Sequence, residues 1–297
     1  MQLDGQELRV YGRGIRIAKL RHEWYDFFAD PLDQVKKLQR DATFADLLTF
    51  VQDISDNQLV YPFYREPASA AVLTVTTHRN WWEHLDFRVR NKIRKAAKSG
   101  VDVRTVVLDE TFAAGVEAIY NESPIRQGRQ FSYYGSNADA IYRDLQSLPG
   151  KCYFLGAYRG HELLGFAKLF HGNGVLRTVH IIAKVAHRDK PVQDALIERA
   201  VQICEDKGLG YLQYGSWSEG GLGAFKTKHG FRKFEYSRYY VPLTWRGRVA
   251  LRFRLHQGVK AWLSEDWVTS LRNMRNTWNN SRCSKLFRMP RPLANRA

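Results

Sequence analysis

The chain has 297 residues, 44% of them hydrophobic and 26% charged, a composition that supports a folded core and argues against disorder. Its net charge of +16 is unevenly placed: from Trp245 onward twelve Lys or Arg face only Glu265 and Asp266, so this tail holds +10 and the preceding 244 residues +6. Three scattered cysteines (Cys152, Cys204, Cys283) and the lack of any apolar run near 20 residues exclude a disulfide scaffold, a zinc module and a membrane-spanning helix.

In chain order, the N-terminus MQLDGQELRVYGRG lacks the apolar core of a signal peptide, so a cytoplasmic protein is expected. Leu38 to Asp53 has helical spacing, and VYPFYREPASAAVLTVTT reads as two short β-rich runs punctuated by Pro62 and Pro67. Asn80 to Ser99 reads as one helix closed by Gly100, and it packs Arg88, Arg90, Lys92, Arg94, Lys95 and Lys98 into one stretch. VDVRTVVL follows as a strand, Thr111 to Ser123 as a helix, and SPIRQGRQFSYYGS as a polar, aromatic loop. Three strand-like runs between Lys151 and Ala183 are separated by Arg159-Gly160 and Gly172-Asn173-Gly174, the pattern of a meander. Pro191 to Lys207 is a helix with Gly208 beyond its end; YLQYGSW is a strand, GGLGAFKTKHGF a short helix and RKFEYSRYYVPL a last strand. The expected class is α/β, a mostly antiparallel mixed sheet flanked by helices.

This order resembles that of GNAT acyltransferases. GFAKLFHGNGVLRTVHIIA is similar to their central meander, VAHRDKPVQDALIERAVQICEDKG to their phosphate-cradling loop and helix, and GAFKTKHGF to their closing segment. RVRNKIRKAAKSGVDVR resembles the basic helix of the Fem-type branch, whose members pass amino acids or acyl groups to amines of cell-wall or surface precursors. The resemblance spans about residues 80 to 245 and implies a transferase domain at 103–245. Residues 1–102 then form an α/β region that could be a reduced copy of the unit, and 246–297 a basic aromatic tail. The loop departs from the usual Arg-x-x-Gly-x-Gly/Ala form: Arg188 to Gln193 has no glycine, and Pro191 removes an amide donor. Fem-type enzymes, which use aminoacyl-tRNA, tolerate such a loop.

The resemblance implies donor contacts at Ala183, Val185, Arg188, Lys190, Val192 and Gln193, with acyl-CoA or aminoacyl-tRNA as co-substrate and no metal. Lys226 stands where many GNAT enzymes carry the tyrosine that protonates the leaving group, and a cation there could stabilise it by charge. Glu122 is the preferred general base, with His180 as a weaker one. Asn121, Arg126, Arg129, Tyr134 and Trp217 are expected around the acceptor, an amine-bearing small molecule or glycolipid; Tyr239 and Tyr240 read as core or cleft wall. The basic helix is expected to grip tRNA or a pyrophosphate. The tail, with a helix or initial strand over Arg248 to Leu263, is expected to meet an anionic membrane, which would place the protein on its inner face; packing on the catalytic domain comes second, and RNA binding is a further alternative. The rival reading is a non-catalytic RNA- or membrane-binding protein that retains the fold.

Overall fold

The computed structural model describes residues 1–40, 44–56, 60–126, 128–148 and 150–257. The first part of the chain supplies β1 (Gln2–Leu3), β2 (Gln6–Tyr11), β3 (Ile17–Leu20), α1 (Pro31–Arg40), β4 (Leu47–Val51) and β5 (Tyr64–Thr74). Two helices follow, α2 (His78–His84) and α3 (Phe87–Lys98). Next come β6 (Asp102–Val106), α4 (Glu110–Tyr120), a small hairpin of β7 (Ile125–Arg126) and β8 (Arg129–Gln130), and α5 (Ala138–Gln146). The meander is β9 (Lys151–Arg159), β10 (Glu162–Gly172) and β11 (Val175–Ala183). The chain continues through α6 (Val192–Asp206), β12 (Tyr211–Ser216), α7 (Gly220–Lys228), β13 (Arg232–Pro242) and α8 (Trp245–Arg252).

Eleven strands form one sheet in the order β1-β2-β3-β4-β13-β5-β12-β11-β10-β9-β6. From β2 to β10 the pairings read alike from either end. An antiparallel pair (β2–β3, or β10–β11) is followed by a parallel pair joined through a helix (β3–α1–β4, or β11–α6–β12). Each parallel pair then meets an antiparallel strand that comes from the other half of the chain. Thus β13 pairs with β4, β5 pairs with β12, and the two exchanged strands pair with each other at the centre.

Period-2 alternation sends Leu155 and Ala157 of β9 to one side, where α6 and the inner faces of α2 and α3 form the main core with Leu196, Val201, Ile93 and Trp81. Phe154 and Tyr158 point the other way, onto α4 and α5, where Phe112, Tyr120, Ile141 and Phe166 pack. A third cluster of Leu8, Leu38, Phe50 and Tyr239 holds α1 on the N-terminal strands. The β10–β11 turn is the one its sequence demands: Asn173 and Gly174 both take positive φ, 51° and 71°, matching the twist of a two-residue hairpin.

Four expectations need correction. Leu38 to Asp53 is not a helix: α1 ends at Arg40, and Leu47–Val51 is a strand with all five residues buried. A strand covered on both faces loses its alternation and mimics helical spacing. The two short runs around Pro67 are one strand. Pro67 opposes Ser237 of β13 at a point beyond the reach of β12, so its missing N–H breaks no ladder on that side. The helix of Asn80 to Ser99 is two, because Leu85 is extended and Asp86 restarts the helix by accepting the Arg88 amide at 2.7 Å. Finally, the polar loop after α4 contains the β7–β8 hairpin and leads into α5, which Asn137 caps by accepting the Ala140 amide at 2.9 Å.

Candidate active site

Two local features open a cleft in the sheet. β11 and β12 pair only from Val175–Arg177 against Tyr211–Gln213, after which Thr178 Oγ1 still donates to the Gln213 carbonyl at 3.2 Å. Next to that point β11 carries a bulge: Lys168 opposes His180 and Leu169 opposes Thr178, leaving Val179 without a partner on β10. A bulge bends its strand and increases local twist. β12 is paired with β5 along its length, from Tyr211 to Ser216, but with β11 only as far as Gln213, so the two parallel strands part.

On the α6 side lies a cleft of about 470 Å³ between the end of β11 and the start of α6, lined by residues of β11, the following loop and α6 with Arg126 and Phe131. Ala183, Val185, Arg188, Lys190, Val192 and Gln193 all line it, so the structure brings together the six residues singled out for the donor. The loop spends most of its own amides: Arg188 donates to Val185, Lys190 to His187 and Val192 to Lys190. Helix α6 begins at Val192, after an N-cap residue, Pro191, that supplies no side-chain cap, and the first-turn amides of Gln193 and Asp194 have no backbone acceptor among the described residues. That leaves a helix start with its partial positive charge at the cleft. Lys184 and His187 are drawn to Glu162, at 2.6 and 3.5 Å, and Lys190 to Asp189 at 3.1 Å. Exposed Arg188 makes no ion pair among the described residues.

Glu122 lies at this loop, not on the acceptor side. One carboxylate oxygen accepts the Ala186 amide at 2.7 Å, and the other accepts the Val185 amide and lies 3.5 Å from Arg126. With both oxygens engaged, it latches the loop to the end of α4. Arg126 lines the same cleft. Its fork is spent on carbonyls, donating to Ala183 at 2.8 Å and Ile119 at 2.5 Å, and burial pulls its pKa down despite Glu122.

A second cavity of about 260 Å³ lies at the parting point, lined by Trp24, Tyr25, Arg177, Thr178, Val179, Gln213, Gly215 and Ser216. Beneath it Arg177 and Asp53, almost fully buried, are paired at 2.5 Å, and the Arg177 guanidinium lies over the Phe27 ring. Lys226 reaches the same region from α7. Its ammonium, 3% exposed as a residue, donates to the Ser216 carbonyl at 2.7 Å and sits 5.0 Å from the Tyr214 ring centre. Burial lowers its pKa.

The other residues expected at the acceptor are elsewhere. Asn121 braces the turn after β8, donating to the Ser136 carbonyl at 3.0 Å and accepting from Gly135. Arg129 and Tyr134 are exposed on that hairpin and turn, and Trp217 packs against the main core, its amide bonded to Ser69. None of the four lines either cavity. His180 faces Tyr120, Tyr133 and Phe166, and this enclosure pushes its pKa down to about 4, so the ring is neutral near pH 7. Tyr239 is core and Tyr240 packs on His256. Sequence reasoning missed Trp24, Tyr25, Thr178 and Ser216, whose one signal is the aromatic run Trp24-Tyr25-Asp26-Phe27-Phe28. No His, Cys, Asp or Glu cluster suited to a metal occurs among the described residues.

No family model matches the chain, and no curated protein matches it in sequence. Solved structures do match its fold. FemX superposes with a TM-score of 0.55 at 12% identity, over 80% of this chain and 86% of that one. L-PGS from Bacillus licheniformis gives 0.54 at 14%, over 85% and 86%. The C-terminal domain (DUF2156) of a proposed lysylphosphatidylglycerol synthetase from Agrobacterium fabrum gives 0.53 at 12%, over 82% and 83%. The fold is therefore the GNAT-like fold of the Fem type.

Proposed function

We propose that the chain is an acyltransferase that moves an acyl or aminoacyl group from an activated ester or thioester to an amine. The observation that carries this reading is the parting of β11 from β12 beside an uncapped α6. Such an opening holds two substrates on either side of one sheet, which suits direct transfer in a ternary complex. The amine nitrogen attacks the acyl carbon, the bond to the donor oxygen or sulfur breaks, and the amine's proton is released as the leaving group takes one up.

The donor's anionic part would sit at the start of α6, with Arg188 and Lys190 beside it. A loop whose amides are largely engaged, two of them by Glu122, relies on cationic side chains more than on backbone donors. That favours aminoacyl-tRNA over acyl-CoA. The exposed Arg88, Lys92, Arg94, Lys95 and Lys98 of α3 extend the positive surface, and Lys92 lies 4.0 Å from Asp194 of the cleft. Glu122 would position the loop and leave the base role open. Lys226 would add charge beneath Ser216, where the leaving oxygen's negative charge develops. The aromatic faces of Trp24 and Tyr25, with the hydrogen-bonding groups of Thr178, Gln213 and Ser216, suit an amine borne on a sugar, a cell-wall precursor or another small polar molecule.

Native mass spectrometry of the chain against aminoacyl-tRNAs and acyl-CoAs tests the reading. One donor class should bind, and Arg188→Glu with Lys190→Glu should weaken it at least about 10-fold. Failure of both classes to bind, or equal binding by the double variant, removes the donor site and leaves a binding protein with this fold.

A further inference from the structure

Helix α8 lies apart from the cleft and is built in two unlike faces. Its inner face is Gly247 and Ala250. A Cβ at Gly247 would come within 2.0 Å of the Asp46 carbonyl oxygen, so the helix backbone sits directly on the end of β4. Thr244 fixes its start, accepting the Gly247 amide at 3.2 Å and donating to Asp46 at 3.0 Å. Past its end the chain is pinned again: His256 bonds Glu66 at 2.9 Å and packs on Tyr64 and Tyr240. The segment is held at both ends.

Its outer face is left bare. Trp245 is 67% exposed, Val249 41%, Phe253 58% and Leu255 40%. Trp245, Val249 and Phe253 recur every four residues, and at about 100° per residue they form one stripe roughly 80° wide. Arg248 and Arg252 border the stripe on one side and Arg246 on the other, with Arg254 beyond, all exposed. No Asp or Glu occurs from Trp245 to Gln257. Isolated exposed apolar residues are ordinary on a protein surface, but a contiguous stripe with a single-sign rim marks an interface.

We propose that this face docks on an anionic lipid surface, with the Trp245–Val249–Phe253 stripe entering the headgroup boundary and the arginines meeting phosphate groups. Charge decides between candidate occupants. Residues 258–297 hold eight Lys or Arg against Glu265 and Asp266, a net +6, so laying them over four arginines would set like charge on like. An anionic bilayer neutralises both. Nucleic acid would satisfy the arginines but has no use for Val249 and Leu255, whereas an interfacial helix combines an apolar stripe with a cationic rim. Among the described residues no helix is long and apolar enough to cross a membrane. The lipid contact stands independently of the transferase reading.

Flotation of the full chain with phosphatidylcholine vesicles, with and without about 30% phosphatidylglycerol, tests it. The chain should float only with the anionic vesicles and come off as salt is raised. Trp245→Ser with Val249→Ser and Phe253→Ser should reduce partitioning at least about 10-fold while the melting temperature stays put. Four outcomes overturn the proposal: no flotation of the wild type, undiminished flotation of the triple variant, stronger capture by an RNA oligonucleotide than by vesicles with the same loss in the triple variant, or a fall in melting temperature for that variant. The last would show the stripe to be covered by the chain itself.

Discussion

The two parallel crossovers of the sheet share one topology and differ in what fills them. At β3–α1–β4 the notch is small, about 180 Å³, walled by Phe27, Phe28 and Phe50, with Asp53 and Asp56 at its edge. Asp30 caps α1, its carboxylate accepting the amides of Leu32 and Asp33 at 3.0 and 3.1 Å. At β11–α6–β12 the cleft is about 470 Å³, cationic, and its helix starts after Pro191, which supplies no side-chain cap. The same sheet order thus yields a smaller notch where aromatic side chains wall it and a carboxylate caps the helix. It yields a wider cleft where a bulge bends β11 and the start of α6 has no side-chain cap.

The comparison can be broken or sharpened in four ways. The largest effect should come from the joint between the halves: Arg177→Met leaves Asp53 buried without its cation and should cost about 3–5 kcal/mol in urea unfolding. Next, Ala183→Phe puts an aromatic ring into the larger cleft, as Phe28 and Phe50 do in the smaller one. Single-turnover transfer should fall about 100-fold, or about 2.7 kcal/mol, with the melting curve little changed. Third, His180 is held neutral with its pKa near 4, against about 6.5 unfolded. Its contribution is therefore complete above pH 6.5 and is lost as pH falls toward 4, where the unfolded chain binds the extra proton. On the order of 2 kcal/mol should disappear across that window, and His180→Phe should flatten the slope relative to wild type. Fourth, the caps can be exchanged. Asp30→Ala should cost about 1 kcal/mol without touching transfer, whereas Pro191→Asp should stabilise by about 0.5–1 kcal/mol and weaken the donor a few-fold by placing a carboxylate where its phosphate would sit.

Elements with strong local signals were legible before the structure. The meander announced itself through alternation and Asn173-Gly174, and α6 through its apolar period and Gly208, which takes φ 62°. Where burial erased periodicity, as in Leu47–Val51, the reading failed, and α5 was too short and polar to stand out from its flanks. At the site, the residues from Ala183 to Gln193 that line the larger cleft could be picked out together because they lie close in sequence. The second cavity could not, since Trp24 and Tyr25 meet Thr178 and Ser216 only through the fold. The position of Glu122 was hidden for another reason. Its partners are backbone amides 63 and 64 residues away, and amides carry no residue-type signature.

The exchanged central strands bear on how the chain comes into being. β4 pairs early with β3 but cannot acquire its second neighbour until β13 exists, and those partners stand nearly 200 positions apart, Val51 opposite Arg238. On a ribosome the five buried residues of β4 therefore have an unsatisfied edge until the chain has grown from Val51 to Pro242, which invites pairing with a stranger. Neither half can be finished alone. Chaperone demand during translation, and slow refolding from denaturant, are the costs of sharing that pair.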